Sequence, residues 1–166
     1  MDIVIGIDPD IDKNGVAVVR PATREVEVML LTFIELMEYL ESVKKEAAAT
    51  SARVLVVVEA GWKNPGVWHL GHTRSIAAAA QIGVHTGRNH EVSHKVADFA
   101  RHMQFEVEES KPLMKVWKGP NKKITHKELC SLIGQKIKHT NQEGRDAVLL
   151  AWVKSGLPLH MGLLEI

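Results

Sequence analysis

Asp8 closes the apolar run IVIGID, and Glu59 closes VLVVVE. A carboxylate at the end of a buried strand is costly unless it is solvated, paired or bound to a cation, so two of them on neighbouring strands invite a common explanation. Glu143 and Asp146 add two more. They lie three residues apart, and so on one face at the start of a helix, where the helix dipole favours negative charge. Oxygen-only sets of this kind suit hard divalent cations, Mg²⁺ or Mn²⁺, which take a few carboxylates and fill their other positions with water and substrate phosphate oxygens. Two such ions about 4 Å apart activate a water, align it with a scissile phosphorus and stabilise the leaving oxygen, with no histidine or serine nucleophile. Spacing alone leaves a structural alternative open, with Asp8 in an Asx-turn, Glu59 in a strand-end ion pair, and Glu143 and Asp146 as acids of a helix start.

Two other stretches imitate metal sites. HEVSH at 90–94 has the His-Glu-x-x-His spacing with which zinc proteases place two ligands and a general base on one helical face. A third ligand is missing: the extended motif needs Gly at 97 and His at 100, and the chain has Ala97 and Ala100. Helical phase adds a second objection, because Val92, Val96, Phe99 and Met103 form the apolar stripe and put His90 and His94 on the opposite, solvated face beside Arg101. In DPDIDKNG, Asp8, Asp10 and Asp12 match the first ligands of a calcium loop, but Lys13 and Val19 stand where that loop needs Gly and Glu. Asp10 and Asp12 are expected to stabilise the turn, with Asp10 close enough to Asp8 to be an accessory.

The elements that must position the acids follow from periodicity. Extended segments are expected at Ile3–Asp8, Val16–Arg20 and Glu25–Leu31, with Asn14-Gly15 as a hairpin turn between the first two. Thr32 and Glu35 have capping-box spacing ahead of an amphipathic helix with the stripe Phe33, Met37, Leu40, Val43 and Ala47. RVLVVVE reads as a strand buried on both faces beside parallel neighbours. After the turn AGWKNPG comes a long helical stretch to Met103, a short strand near Phe105–Val107 and a lysine-rich loop. Thr125 and Glu128 repeat the capping box before a short helix, and Asn141 caps a last helix with the stripe Leu149, Leu150 and Val153. Three strands, a helix, then alternating strands and helices describe a mixed-sheet α/β domain, in which ligands sit outside the carboxyl ends of strands near the topological switch. Asp8 and Glu59 end their strands there.

The 166 residues fit one domain, 1–166, with a sizeable core. The single cysteine, Cys130, excludes an intramolecular disulfide and a multi-cysteine zinc site and fits a reducing compartment. No run approaches the ~18 apolar residues of a membrane span and MDIVIGID lacks the basic flank of a secretory signal, so a cytoplasmic location and no membrane partner are expected. The net charge of +1 hides an asymmetry: between residues 111 and 139 eight lysines face one acid, Glu128, which leaves the remainder of the chain acidic. A basic segment apart from a carboxylate-rich site points to a polyanion partner; a solvated lysine-rich loop is the plainer alternative.

IGIDPDIDKNGVAVV, VLVVVEAGW and EGRDAVLLAWV together resemble the three active-site blocks of RuvC-like Holliday-junction resolvases, in the family's order and at about its spacing, from residue 5 to 153. The resemblance implies a ribonuclease H-like fold, three antiparallel strands followed by parallel strands and flanked by α-helices. It also implies a two-metal Mg²⁺ site, in which Mn²⁺ substitutes, held by Asp8, Glu59, Glu143 and Asp146. The implied activity is that of a homodimeric endonuclease of DNA recombination and repair that cuts four-way junctions symmetrically. Asp10 departs from the family's usual small residue, and Glu143 from its usual aspartate, which keeps a carboxylate on a longer arm. Trp62 fills an aromatic position three residues after the strand-end glutamate, as a wedge that unstacks junction bases or as a cover on the sheet end. Lys115 and Lys127 match the family's DNA-contacting lysines, and Lys118, Lys122 and Lys123 would hold phosphates nonspecifically. Two alternatives keep the fold: a nuclease for another branched or hybrid nucleic acid, and a junction-binding protein with a degenerate site.

Overall fold

The computed structural model describes residues 1–64, 75–113 and 116–160. Five strands form one sheet: β1 (Ile3–Asp8), β2 (Asn14–Arg20), β3 (Glu25–Leu31), β4 (Val54–Glu59) and β5 (Glu106–Ser110). Their order is β3-β2-β1-β4-β5. β1, β2 and β3 pair antiparallel, while β4 lies parallel to β1 and β5 parallel to β4. This is the ribonuclease H-like arrangement expected, with helices on both faces of a mixed sheet.

Alternation along the strands divides the core in two. Ile3, Ile5, Ile7, Val16, Val18, Val54, Val56 and Val58 face α1 (Phe33–Thr50) and the second half of α2 (Ile76–His102). Val4, Ala17, Val19, Leu55 and Val57 face α3 (His126–Ile133) and α4 (Gln142–Lys154). The same period puts Asp8 with Val4, and Glu59 with Leu55 and Val57, so both strand-end acids belong to the α4 side. Ile7 pairs with Val58 in the parallel register, which sets Asp8 and Glu59 abreast.

Both expected capping boxes form, at Thr32 with Glu35 and at Thr125 with Glu128, and Asn141 caps α4 through the backbone N–H of Gly144. The apolar stripe of α4 differs from expectation. Val153 is 39% exposed, whereas Ala147, Val148, Leu149, Leu150, Ala151 and Trp152 are buried. The helix buries residues around most of its circumference rather than along a narrow stripe.

Asn14 and Gly15 are not the hairpin turn. They are the first residues of β2, paired with Leu31 and Leu30, and residues 9–13 turn the chain instead. Asn14 is fully buried, donates its amide to the Leu31 carbonyl at 3.1 Å and accepts from the Asp10 N–H at 3.3 Å. Gly15 faces the backbone of Glu143 and Gly144 so closely that a Cβ there would collide with it, and Gly6 stands in the same relation to Ala147 and Ala151. Two glycines on adjacent strands thus let the first turns of α4 lie directly on the sheet.

Candidate active site

Those close approaches bring the start of α4 to the ends of β1 and β4. Glu143 and Asp146 occupy its first and second turns, on the sheet side that Asp8 and Glu59 share. Burial pushes the Asp8 carboxyl well above the ordinary carboxylate range, and the negative charges of Glu59, Asp146 and Glu143 push it in the same direction. Asp146 is raised too, first by burial and in part by Glu143. The charges of the other three acids therefore reach Asp8.

Their donor chemistry fits hard divalent cations: all four offer oxygen, and a buried carboxylate beside other acids, as Asp8 is, gains most from a compensating cation. Among the described residues, no three His, Cys, Asp or Glu side chains are drawn into a finished ligand cage. Asp10 lies in the turn after β1. Its carboxylate accepts the Asp12 N–H at 3.0 Å, which fixes the turn, as expected.

Two residues at this site escaped the sequence argument, and a third, Lys123, was expected only among the phosphate contacts. Gln142 donates from Nε2 to Asp146 Oδ1 at 2.7 Å, and its own Oε1 accepts from Arg145 at 2.9 Å. Arg145 also donates to the carbonyls of Ile124 at 2.9 Å and Thr140 at 2.6 Å. It thus ties the segment before α3 and the approach to α4 to the helix carrying Asp146. The third is Lys123, whose Nζ stands 3.9 Å from Asp146 Oδ2. The signal available was position alone: Gln142 and Arg145 flank Asp146 at helical spacing of four and one residues, whereas nothing local links Lys123 to it.

The lysine-rich loop is anchored rather than free. Trp117 and Gly119 donate to the carbonyls of Lys122 and Lys123, both at 3.1 Å, and the Lys118 N–H donates to Glu128 at 2.9 Å. Trp117 packs on the α3–α4 core. Lys118, Lys122 and Lys127 are exposed around this frame, so three of the expected phosphate contacts face outward. Lys123 does not; its side chain is 33% exposed and turned to Asp146. Lys115 lies outside the described residues.

Trp62 sits on a 3-10 turn, Gly61–Lys63, immediately after β4. The turn is fixed by the Ala60 N–H on the Ser110 carbonyl at 2.7 Å and by Lys63, whose Nζ donates to the Glu109 carbonyl at 2.8 Å and lies 3.3 Å from its carboxylate. His94 stacks on the Trp62 ring at a centroid distance of 3.7 Å, and His90 meets it edge-on at 6.3 Å. Trp62 is accordingly half-buried, and HEVSH is a brace for this turn rather than a wholly solvated face. Its Glu91 pairs with Lys95 at 3.4 Å on the helix surface.

No family model matches the chain. None of the curated proteins matches it either. Among solved structures, T. thermophilus RuvC in complex with Holliday junction substrate is similar over 96% of this chain and 99% of that one, with 17% sequence identity and a TM-score of 0.45. The ribonuclease H-like assignment stands on strand order, direction and the placement of helices.

Proposed function

We propose that this chain is a divalent-metal-dependent, structure-selective DNA endonuclease that resolves four-way junctions by phosphodiester hydrolysis. The observation that carries the reading is the placement of the acids: Ile7 pairs with Val58, which sets Asp8 and Glu59 abreast, and Gly15 seats the first turn of α4, with Glu143, against the sheet beside them. In this reading Asp8, Glu59, Glu143 and Asp146 hold two Mg²⁺ ions, or Mn²⁺ in their place. Bound there, the cations would supply activation of water and neutralisation of charge on the leaving oxygen, giving a 5′-phosphate and a 3′-hydroxyl. Gln142 holds the Asp146 carboxylate in one orientation, and Arg145 fixes Gln142. Lys118, Lys122, Lys127 and Lys115 take backbone phosphates, and Trp62 lies where a base displaced beside Glu59 would meet it.

Symmetric cutting of a junction calls for two copies of the site. The buried residues of α2 begin only at Ser93, and Ile76 and Val84 are 91% and 55% exposed, so the first half of that helix is the surface assigned to a homodimer. Among the described residues no helix is long and apolar enough to cross a membrane.

A second reading, a junction-binding protein with a degenerate site, draws support from the unfinished ligand cage. One experiment separates the two: a labelled synthetic junction, and linear duplex of the same sequence, incubated with wild type and Asp146→Asn in Mg²⁺ or EDTA. Paired symmetric nicks with wild type and Mg²⁺ alone are expected. Tight junction binding with no nicks would favour the second reading, and no preference for the junction would redirect the search to flaps and hybrids.

A further inference from the structure

We propose that Lys123 is a tethered counter-cation that occupies the carboxylate centre before metal arrives and exchanges onto a DNA phosphate when metal displaces it. The inference rests on the reading of Asp8, Glu59, Glu143 and Asp146 as a cation site. It departs from the expectation that Lys123 merely adds to the phosphate-binding surface.

Three observations carry it. First, Lys123 Nζ is 3.9 Å from Asp146 Oδ2, with the two side chains only 33% and 22% exposed, while its neighbour Lys122 is exposed. Second, the placement is built by the backbone. The Lys123 carbonyl accepts from Gly119, its N–H donates to the Pro120 carbonyl at 3.1 Å, and the next carbonyl, Ile124, is held by Arg145 at 2.9 Å. A side chain at Gly119 would collide with the Lys123 carbonyl, so the tight loop requires glycine there. Third, Gln142 Nε2 already donates to Asp146 Oδ1 at 2.7 Å, so Lys123 faces the other oxygen of that carboxylate, Oδ2.

The physics of exchange follows. Fixed backbone and a flexible four-carbon stem mean that only the side chain must move, and a compact ammonium pairs as readily with a phosphate as with a carboxylate. Lys123 places one unit of positive charge beside Asp146 until a divalent ion supplies more. Once displaced, the ammonium remains at the edge of the centre, beside the exposed Lys122 and Lys118, where a DNA backbone would pass. Metal binding and DNA binding are thereby coupled through one side chain, and the coupling is reciprocal.

The test uses the full chain. Mn²⁺ affinity is measured without DNA, by the electron paramagnetic resonance signal of free Mn²⁺, for wild type, Lys123→Met and Lys123→Arg. Loss of the competing charge should tighten Mn²⁺ binding by about fivefold in Lys123→Met, the scale of one partly exposed ion pair, with Lys123→Arg remaining near wild type. Melting temperature supplies a readout that a purely structural lysine would not move in this way. Lys123→Met should melt below wild type in EDTA, and the gap should close in saturating Mn²⁺. The salt dependence of junction binding completes the test. With Ca²⁺ the wild-type slope of log K against log salt should exceed that of Lys123→Met by about one phosphate contact, and in EDTA the two slopes should coincide.

Equal Mn²⁺ affinities, a melting gap that persists in Mn²⁺, or the same slope difference in EDTA would each overturn the exchange while leaving the metal site standing. No Mn²⁺ binding by wild type or by either variant would remove the cation-site reading and this inference with it.

Discussion

Asp8 and Glu109 are acids near the carboxyl ends of strands in the same sheet, and the fold treats them in opposite ways. Glu109 faces the α2 side, where Arg101 reaches it at 2.5 Å and Lys63 at 3.3 Å; the Arg101 hydrogen bond leads in holding its carboxyl below the ordinary range. Glu108, one residue earlier, is paired with Lys154 of α4. Asp8 faces the start of α4, where burial and three other acids hold its carboxyl up, and Lys123 offsets only part of that. A paired acid fastens one element to another and stabilises it. A buried acid held beside others of its own charge is a stability cost, and under the proposed function a cation would offset it.

The largest break in that contrast comes from removing a member of the acid group. Glu59→Gln or Asp146→Asn should lower junction cleavage in Mg²⁺ by at least about a thousandfold while leaving junction binding intact or tighter, because less negative charge then faces the phosphates. Retained cleavage in either variant, measured by gel on a labelled junction, would sink the site. Gln142→Ala should cost less, about 10- to 100-fold in cleavage rate, since it frees the orientation of Asp146 without removing a ligand. An unchanged rate would mean that Asp146 needs no orienting partner.

A third substitution tests how the group is assembled. Gly15→Ala puts a Cβ into the backbone of Glu143 and Gly144 and should destabilise the protein by about 1–3 kcal/mol in urea unfolding, with cleavage falling as α4 lifts. Wild-type stability in this variant would contradict the close approach.

The smallest effects sharpen the contrast directly. In EDTA, Asp8→Asn should raise the melting temperature and Glu109→Gln should lower it, each by about 2–4 °C per kcal/mol at this chain length. Their pH dependences should run in opposite senses. The folded-state pKa of Asp8 is raised, so the folded protein binds more protons than the unfolded chain, and its stability grows as pH falls from neutrality toward the unfolded carboxylate value near about 4. The folded-state pKa of Glu109 is lowered, so its contribution is present above that value and is lost as pH falls through its folded pKa. The melting-temperature advantage of Asp8→Asn over wild type should therefore be largest near neutrality and shrink toward acid; an advantage that does not change with pH would mean that Asp8 carries no such burden.

Much of the arrangement was written locally. Apolar alternation marked the strands, Ser/Thr-x-x-Glu spacing marked α1 and α3, and acids at two strand ends and one helix start marked the four positions, because each of these signals depends on residues within one or two turns of each other. The excess of lysine before α3 was legible for the same reason: charge is a property of composition. Gly15 misled, since Asn-Gly is a turn dipeptide by local propensity, and only the arrival of α4 more than a hundred residues later explains why a side chain is forbidden there. His90 and His94 were assigned to solvent by helical phase, which says which face turns away from the sheet but not that the turn bearing Trp62 covers it.

The sequence by itself determined the elements, the oxygen chemistry of four acids and the sign of the neighbouring surface. Tertiary structure decided that the charges of Glu59, Glu143 and Asp146 reach Asp8, that Gln142 and Arg145 steady Asp146, and that Lys123 turns inward to Asp146 while Lys118, Lys122 and Lys127 are exposed. The division has one physical cause. Periodicity and capping are set by short-range sterics and hydrogen bonds along the chain, whereas strand register, helix approach and the pairing of charges are fixed only when segments far apart in sequence are packed to contact.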